Sequence, residues 1–100
     1  MTLNRFVFYL RVLRMFCDKN RDVPRQLREA IATGDTARLQ ETAHALKASA
    51  GTIGATAMSR QAATLMQAAR QGSGGPDGYA LHLADDLDAL IRALDAALTL

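Results

Sequence analysis

Apolar residues recur at steps of three and four along almost the whole chain, and this spacing constrains the fold more than any other feature. On a helix, such steps bring side chains to one face. The longest stripe lies in the C-terminal quarter and consists of Ala80, Ala84, Leu87, Ile91, Leu94 and Leu98. Hydrophobic residues, largely Ala and Leu, make up 49% of the sequence and aromatic residues 5%. This composition favours helices over strands.

Capping signals divide the pattern into five helices. Asp22 followed by Pro24 is typical of a helix start, as is Asp35 after Gly34. Gly54 interrupts the next apolar stripe, and a glycine-rich loop precedes the last one. We predict helices over approximately residues 4–20, 23–33, 36–53, 55–71 and 79–98.

Short connections between five helices, each with an apolar stripe, predict an all-α fold: an up-and-down four-helix bundle with an additional short helix, the second. One hundred residues are enough to bury one core, so we expect residues 1–100 to form a single domain. The first helix is apolar over a broad surface, and we expect other helices to contact it on more than one side.

Charge and cysteine content exclude several classes of protein. The net charge of +2 is too small to indicate nucleic-acid binding. Residues 1–33 are mainly basic and residues 76–100 mainly acidic, so we expect oppositely charged helices to pack together. No apolar run approaches ~20 residues, and we expect no membrane span and no direct membrane contact. The lone Cys17 fits a buried thiol in a reducing cytoplasm. We expect the protein to be a monomer.

The third predicted helix carries a histidine away from its apolar stripe. That stripe consists of Leu39, Ala43, Leu46, Ala50 and Ile53. At ~100° per residue, His44 lies about 140° from Leu39, and Lys47, Ala48 and Gly51 lie on the same flank. A helix that only packs a core has no reason to clear a patch of small residues around a histidine. A histidine that must enter the active site of another protein needs small neighbours, because they let that protein come close.

Other roles for His44 remain open. Its angle weakens a core role. A metal site needs more ligands, and only Glu41 shares the flank at helical spacing, because His82 is on a distant helix. A Ser-His-Asp arrangement fits poorly, since Ser49 points away from His44. A simple solvent-exposed histidine is the remaining alternative.

The residues around His44 resemble a known signature. The string His44-x-Leu46-Lys47-x-Ser49-x-x-x-Ile53-Gly54 is similar to the H-x-L-K-G-[SA]-x-x-x-[LI]-G pattern of bacterial histidine phosphotransfer (HPt) domains. Gly34-Asp35 and the first two helices also resemble those of HPt domains at the C-terminus of hybrid sensor histidine kinases. The resemblance covers roughly residues 5–70. Because the first helix begins abruptly at Met1, we expect a fragment of such a kinase.

The resemblance implies a phosphorelay intermediate, and not an enzyme with its own ATP-dependent activity. His44 would accept a phosphoryl group from an aspartate of one receiver domain and pass it to another. Lys47 would offset phosphoryl charge, while Gln40, Ala48 and Gly51 would contact the receiver. The domain itself would need no cofactor, because the receiver supplies Mg²⁺. The implied location is cytoplasmic, with a parent kinase anchored in the inner membrane.

Two positions depart from the family pattern. Ala48 stands where glycine is usual, which adds one methyl group on the docking side. Met66 stands where a polar residue often hydrogen-bonds the inner nitrogen of the histidine, and a thioether is a poor substitute. Met66 therefore keeps an alternative open: an HPt-like docking module that binds a receiver or another regulator without carrying phosphate. A structural bundle with an accidental motif is a third class.

Overall fold

The computed structural model describes residues 2–72 and 75–99 and contains five helices there. The prediction of an all-α bundle is confirmed, with strands absent from the described residues. The helices are α1 (Thr2–Asn20), α2 (Val23–Thr33), α3 (Thr36–Thr52), α4 (Thr56–Gln71) and α5 (Pro76–Leu98). The last helix begins earlier than expected, because proline suits the first turn of a helix. Leu3, which is predicted to lie on the apolar side of the first helix, is outside the residues whose side chains are described.

The long helices α3 and α4 form a tight hairpin, and the other helices pack around it. Gly54 makes the turn with φ +79, a left-handed conformation that glycine adopts at little cost. The Ala55 amide closes the turn by donating to the carbonyl of Ala50 at 2.9 Å. α2 packs on α3 and α5, α5 also packs on α4, and α1 packs on α5 and α3. The result is a rod of 50 × 20 × 16 Å.

The core consists of the predicted stripes and is built mainly from Leu and Ala. Six of its leucines are no more than 1% exposed: Leu27, Leu39, Leu46, Leu65, Leu83 and Leu87. Each buried leucine side chain stabilises the fold by ~1.5–3 kcal/mol relative to an exposed one. Small alanines between them let the helices approach closely, which fixes the orientation of α3 and of everything that α3 exposes.

The two predicted aspartate caps have different outcomes. Asp35 caps α3, because its carboxylate accepts the Arg38 amide at 3.0 Å. Asp22 makes no side-chain cap on α2. Its carboxylate instead accepts Arg25 Nε at 2.8 Å, and this hydrogen bond lowers the pKa of Asp22. A guanidinium one turn along the helix has displaced the backbone amides as the donor, so the cap predicted at Asp22 was wrong.

Oppositely charged helices do pack side by side, as the charge pattern predicted. Arg28 on α2 donates to Asp85 at 2.9 Å and to Asp88 at 2.8 Å, both on α5. Arg21, in the turn after α1, donates to Asp95 on α5 at 2.7 Å. The acidic residues of α5 therefore pair with α2 and with the turn that follows α1.

The N-terminal half of α1 differs from the prediction. Arg14 donates to the carbonyl of Leu98 at the end of α5, so the residues before it run past that end. Phe6, Phe8 and Tyr9 are 59%, 68% and 49% exposed. The expectation that α1 is contacted on more than one side along its length is therefore wrong for this half. Further along, Cys17 is buried as predicted, and burial raises the pKa of its thiol.

No helix in the described part of the chain has the length and apolar character needed to cross a membrane.

Candidate functional site

His44 projects from the solvent side of α3. The stripe opposite it, which includes Ala43 and Leu46, is buried against the rest of the bundle. His44 itself is exposed. Four buried residues of α3, two before His44 and two after it, pack against the bundle. The backbone that carries the imidazole is therefore held in place, while the ring points outward.

The imidazole of His44 is unengaged by the protein. Within residues 2–72 and 75–99, no hydrogen bond or ion pair involves its side chain. Both ring nitrogens therefore face water, and the ring is free to turn about its side-chain torsions. Nothing in this part of the chain acts on it as a general base, so the ring can serve as a nucleophile only towards an activated group that arrives from outside.

The surface beside His44 is bare, and packing does not require it to be. Ala48 and Gly51 are exposed on the same side of α3. A Cβ on Gly51 would lie 3.9 Å from the hydroxyl oxygen of Ser59, an ordinary contact. Glycine inside a helix costs ~1 kcal/mol relative to alanine. The fold gives no reason for this glycine, whereas the close approach of another molecule would.

Gln40 and Lys47 lie one turn before and one turn after His44. Gln40 is half-buried and Lys47 is exposed. No carboxylate in the described residues pairs with Lys47. The lysine therefore presents an uncompensated positive charge on the flank of α3 that carries the histidine.

Lys47 also contributes to a basic depression between α3 and α4. This depression has a volume of about 340 Å³ and is lined by Lys47, Ala63, Met66, Gln67, Arg70 and Gln71. Arg70 was not identified from the sequence, since 23 positions separate it from Lys47. The sequence feature that could have indicated Arg70 is the turn at Gly54. This turn folds α4 back along α3, so cations on the side of α4 that faces α3 lie beside the helix that carries His44.

Met66 is half-buried and packs against the hydrophobic core while lining the basic depression. Its thioether is a weak acceptor and cannot donate. Gln67 lines the same depression but is exposed. Among the described residues, therefore, α4 gives the His44 ring no hydrogen bond that would hold its orientation.

A second, apolar groove lies on the other side of Ala48, between α1 and α3. It has a volume of about 330 Å³ and is lined by Val12, Met15, Phe16, Lys19, Ala48, Ser49, Thr52 and Ile53. Ser49 is thus turned towards α1 and away from His44, as predicted. The groove extends the bare surface of α3 with apolar contact area next to the histidine.

The other histidine has a different environment. His82 on α5 has a side chain that is 71% exposed, and its Nε2 lies 3.4 Å from an Asp86 oxygen. In the part of the chain that the structure describes, no three His, Cys, Asp or Glu side chains come together as metal ligands would. His82 and His44 are on different helices and share no site.

Comparison with known protein families identifies the family of this chain. The model of the Hpt domain family matches residues 11–97. The search among curated proteins found no match, and the search among solved structures found none. This family implies a phosphotransfer role in two-component signalling and interaction with response-regulator receiver domains. Since the match covers α2, α3 and α4 and most of α1 and α5, including the helix that carries the exposed histidine, the chain belongs to the Hpt domain family.

Proposed function

We propose that this protein is a phosphorelay intermediate in which His44 carries the phosphoryl group. The observation that carries the proposal is the exposed, unengaged imidazole of His44 on a rigid helix, bordered by Ala48 and Gly51. Such a ring can enter the active site of a receiver without losing any contact within its own protein. The Hpt family provides the matching partner class.

The bonds that form and break in the transfer step involve no group of this chain other than the imidazole. The unprotonated ring nitrogen attacks phosphorus of the receiver's aspartyl phosphate; the P–N bond forms as the P–O bond breaks. The aspartate recovers its carboxylate, and the proton on the other ring nitrogen passes to solvent. Transfer of the group to a second receiver reverses these changes. Phosphoryl transfer depends mainly on in-line positioning and charge neutralisation, and Mg²⁺ belongs to the receiver.

Lys47 is the residue that we assign to charge neutralisation. It lies three positions after His44, which brings the two side chains together on the helix surface. Helical side chains lean towards the N-terminus, so the ammonium group extends back towards the level of the histidine. Because no carboxylate among the described residues occupies it, Lys47 can meet phosphoryl oxygens at no cost in broken ion pairs.

The docking surface comprises Gln40, Ala48 and Gly51, together with the apolar groove between α1 and α3. Ala48 lines that groove and also lies one turn from His44. A receiver seated on it would gain apolar contact area while its catalytic loops reach the histidine. We infer a monomeric domain, because one such surface is enough to bind a receiver. The free, buried Cys17 fits a domain that acts in the reducing cytoplasm.

A docking module that carries no phosphate is the second candidate, and Met66 is the observation that favours it. Without a hydrogen-bonding residue on α4, the ring of His44 is held less firmly than a polar residue at this position would hold it. Weak positioning slows a reaction that depends on alignment. Receiver binding would survive such a loss.

The test is the transfer of labelled phosphate from a phosphorylated receiver to this domain. The His44→Gln variant removes the proposed carrier, and His82→Gln is the matched control because it removes an exposed histidine on α5. We expect acid-labile label on the wild type and on His82→Gln, and none on His44→Gln. Receiver binding without label on the folded wild type would replace the proposal with the docking module.

A further inference from the structure

The basic depression between α3 and α4 has the composition of an oxyanion site. Two of its six lining residues are cations, Lys47 and Arg70, and two are amides, Gln67 and Gln71. No carboxylate of the described residues lines it. Guanidinium and ammonium groups are the side chains that bind phosphate most strongly, and arginine can donate to two phosphate oxygens at once.

The two cations differ from the three arginines that form ion pairs in the described residues. Arg21, Arg25 and Arg28 each pair with one or more carboxylates. Within residues 2–72 and 75–99, neither Lys47 nor Arg70 has such a partner. Two like charges that line one depression repel each other until an anion lies between them. The arrangement therefore stabilises a bound anion more than it stabilises the empty site.

His44 can deliver that anion. It lies one turn from Lys47 on the same flank of α3, within ~5–6 Å between Cβ atoms. Its ring has no partner among the described residues and can turn about its torsions. A phosphoryl group on the outer ring nitrogen would extend the side chain further, either towards solvent and a receiver or towards the depression on α4.

We propose that Lys47 and Arg70 hold the phosphoryl group of phosphorylated His44 in the basic depression between encounters with receivers. The inference rests on the proposed function, because it needs a phosphoryl group on His44. In this chain, α4 would thus act on the phosphoryl group through Arg70, whereas Met66 leaves the imidazole itself without a hydrogen bond. Water reaches the held phosphoryl group less easily. Protonation of the ring would make imidazole a better leaving group, and the nearby cations disfavour that protonation. Both effects slow hydrolysis of the phosphorylated histidine.

The test is the lifetime of the phosphorylated domain in the absence of any receiver. Phosphoramidate, a small phosphoryl donor, loads His44, and intact mass then follows the loss of phosphate after the donor is removed. Arg70→Gln removes the guanidinium. Arg60→Gln is the matched control. Arg60 is an exposed cation on the same helix, has no ion pair within the described residues, and is absent from the lining of the depression. Arg70→Lys restores the charge.

We expect Arg70→Gln to shorten the half-life about fivefold, as a lost charge-assisted contact at a partly exposed site would. Arg60→Gln should leave it unchanged, and Arg70→Lys should recover most of it. Equal half-lives for Arg70→Gln and Arg60→Gln would overturn the inference and leave the carrier role of His44 intact. If the wild type gains no phosphoryl group at His44, the proposed function itself has failed, and this outcome is distinct from the first.

A second measurement separates the phosphoryl group on His44 from free phosphate as the anion. The side-chain Nε resonance of Arg70 is followed by NMR when the wild type is phosphorylated, and when inorganic phosphate is added to His44→Gln. We expect a shift in the first case alone. A shift of the same size with inorganic phosphate would make the depression a site for free phosphate and would overturn the inference.

Discussion

His44 and His82 are both exposed, yet their surroundings distinguish them. His82 has Asp86 one turn away at 3.4 Å, whereas His44 has small neighbours and a cation. The sequence was sufficient to predict this difference, because the neighbours of His44 lie on its own helix at fixed angles. It was not sufficient to predict Arg70 beside Lys47. That pairing depends on how α4 lies across α3, which no local spacing records.

Replacing Lys47 by alanine tests its role in neutralising phosphoryl charge. We expect transfer from a phosphorylated receiver to slow by about tenfold, since a lost charge contact of ~1.4 kcal/mol in the transition state has that effect. Circular dichroism should show an unchanged fold, because the side chain is exposed. Arg38→Ala, which removes an exposed cation near the start of α3, is the control. A transfer rate equal to that of the control would contradict the role.

Ala48 tests the docking surface. Ala48→Glu places a bulky negative charge one turn from His44, next to the apolar groove. Receiver active sites are acidic, so we expect affinity for the receiver to fall at least about tenfold through steric overlap and like-charge repulsion. Ala89→Glu makes the same change at an exposed position of α5 and should leave affinity unchanged. Calorimetry measures both, and equal affinities would exclude Ala48 from the interface.

The helices themselves were predictable because each stripe agrees with its end signals. Gly34 ends α2 with φ +67, and Asp35 caps α3. Predictions failed where a side chain had a competing partner or where a helix extended beyond the helices that it packs on. Asp22 binds Arg25 in place of the backbone, and the first two turns of α1 extend past the end of α5. Neither the competing partner nor the relative lengths can be read from one helix at a time.

The glycines at the end of α3 differ in what they do for the fold, and alanine substitutions separate them. Gly54 has a positive φ and no atom within 4 Å of a built Cβ. Gly54→Ala should therefore lower the free energy of unfolding by ~1 kcal/mol through backbone strain alone. Gly51 has space for a Cβ within an ordinary helix, so Gly51→Ala should raise it by ~0.5–1 kcal/mol. Urea unfolding measures both, and the same sign for the two variants would contradict this account.

At the scale of the whole molecule, ion pairs between helices set how stability depends on pH. The Arg21 guanidinium donates to Asp95 and holds the pKa of that carboxyl below its usual value. The unfolded chain therefore takes up this proton at a higher pH than the folded protein does. The stabilisation is complete above the ordinary carboxyl range; it begins to be lost near pH ~4 and is gone once the pH has fallen through the lower pKa of the folded protein.

Arg21→Gln tests this contribution. The variant should be less stable than the wild type at pH 7 and should lose less further stability between pH 6 and pH 3. Urea is the suitable denaturant, since a guanidinium salt would screen the ion pair. Arg92→Gln removes an exposed arginine of α5 that has no ion pair among the described residues. If both variants follow the wild-type pH profile, the Arg21–Asp95 pair does not couple folding to pH.

The shape of the rod has a kinetic consequence for the proposed relay. His44 is one exposed ring on the side of a body only 20 Å wide, which is narrower than the footprint that two globular partners would need to reach it together. The donor must leave before the acceptor can bind, so the domain alternates between two covalent states. Each receiver then acts as a competitive inhibitor of the other, and the flux through the relay follows double-displacement kinetics, set by how the two partners share time on a single imidazole.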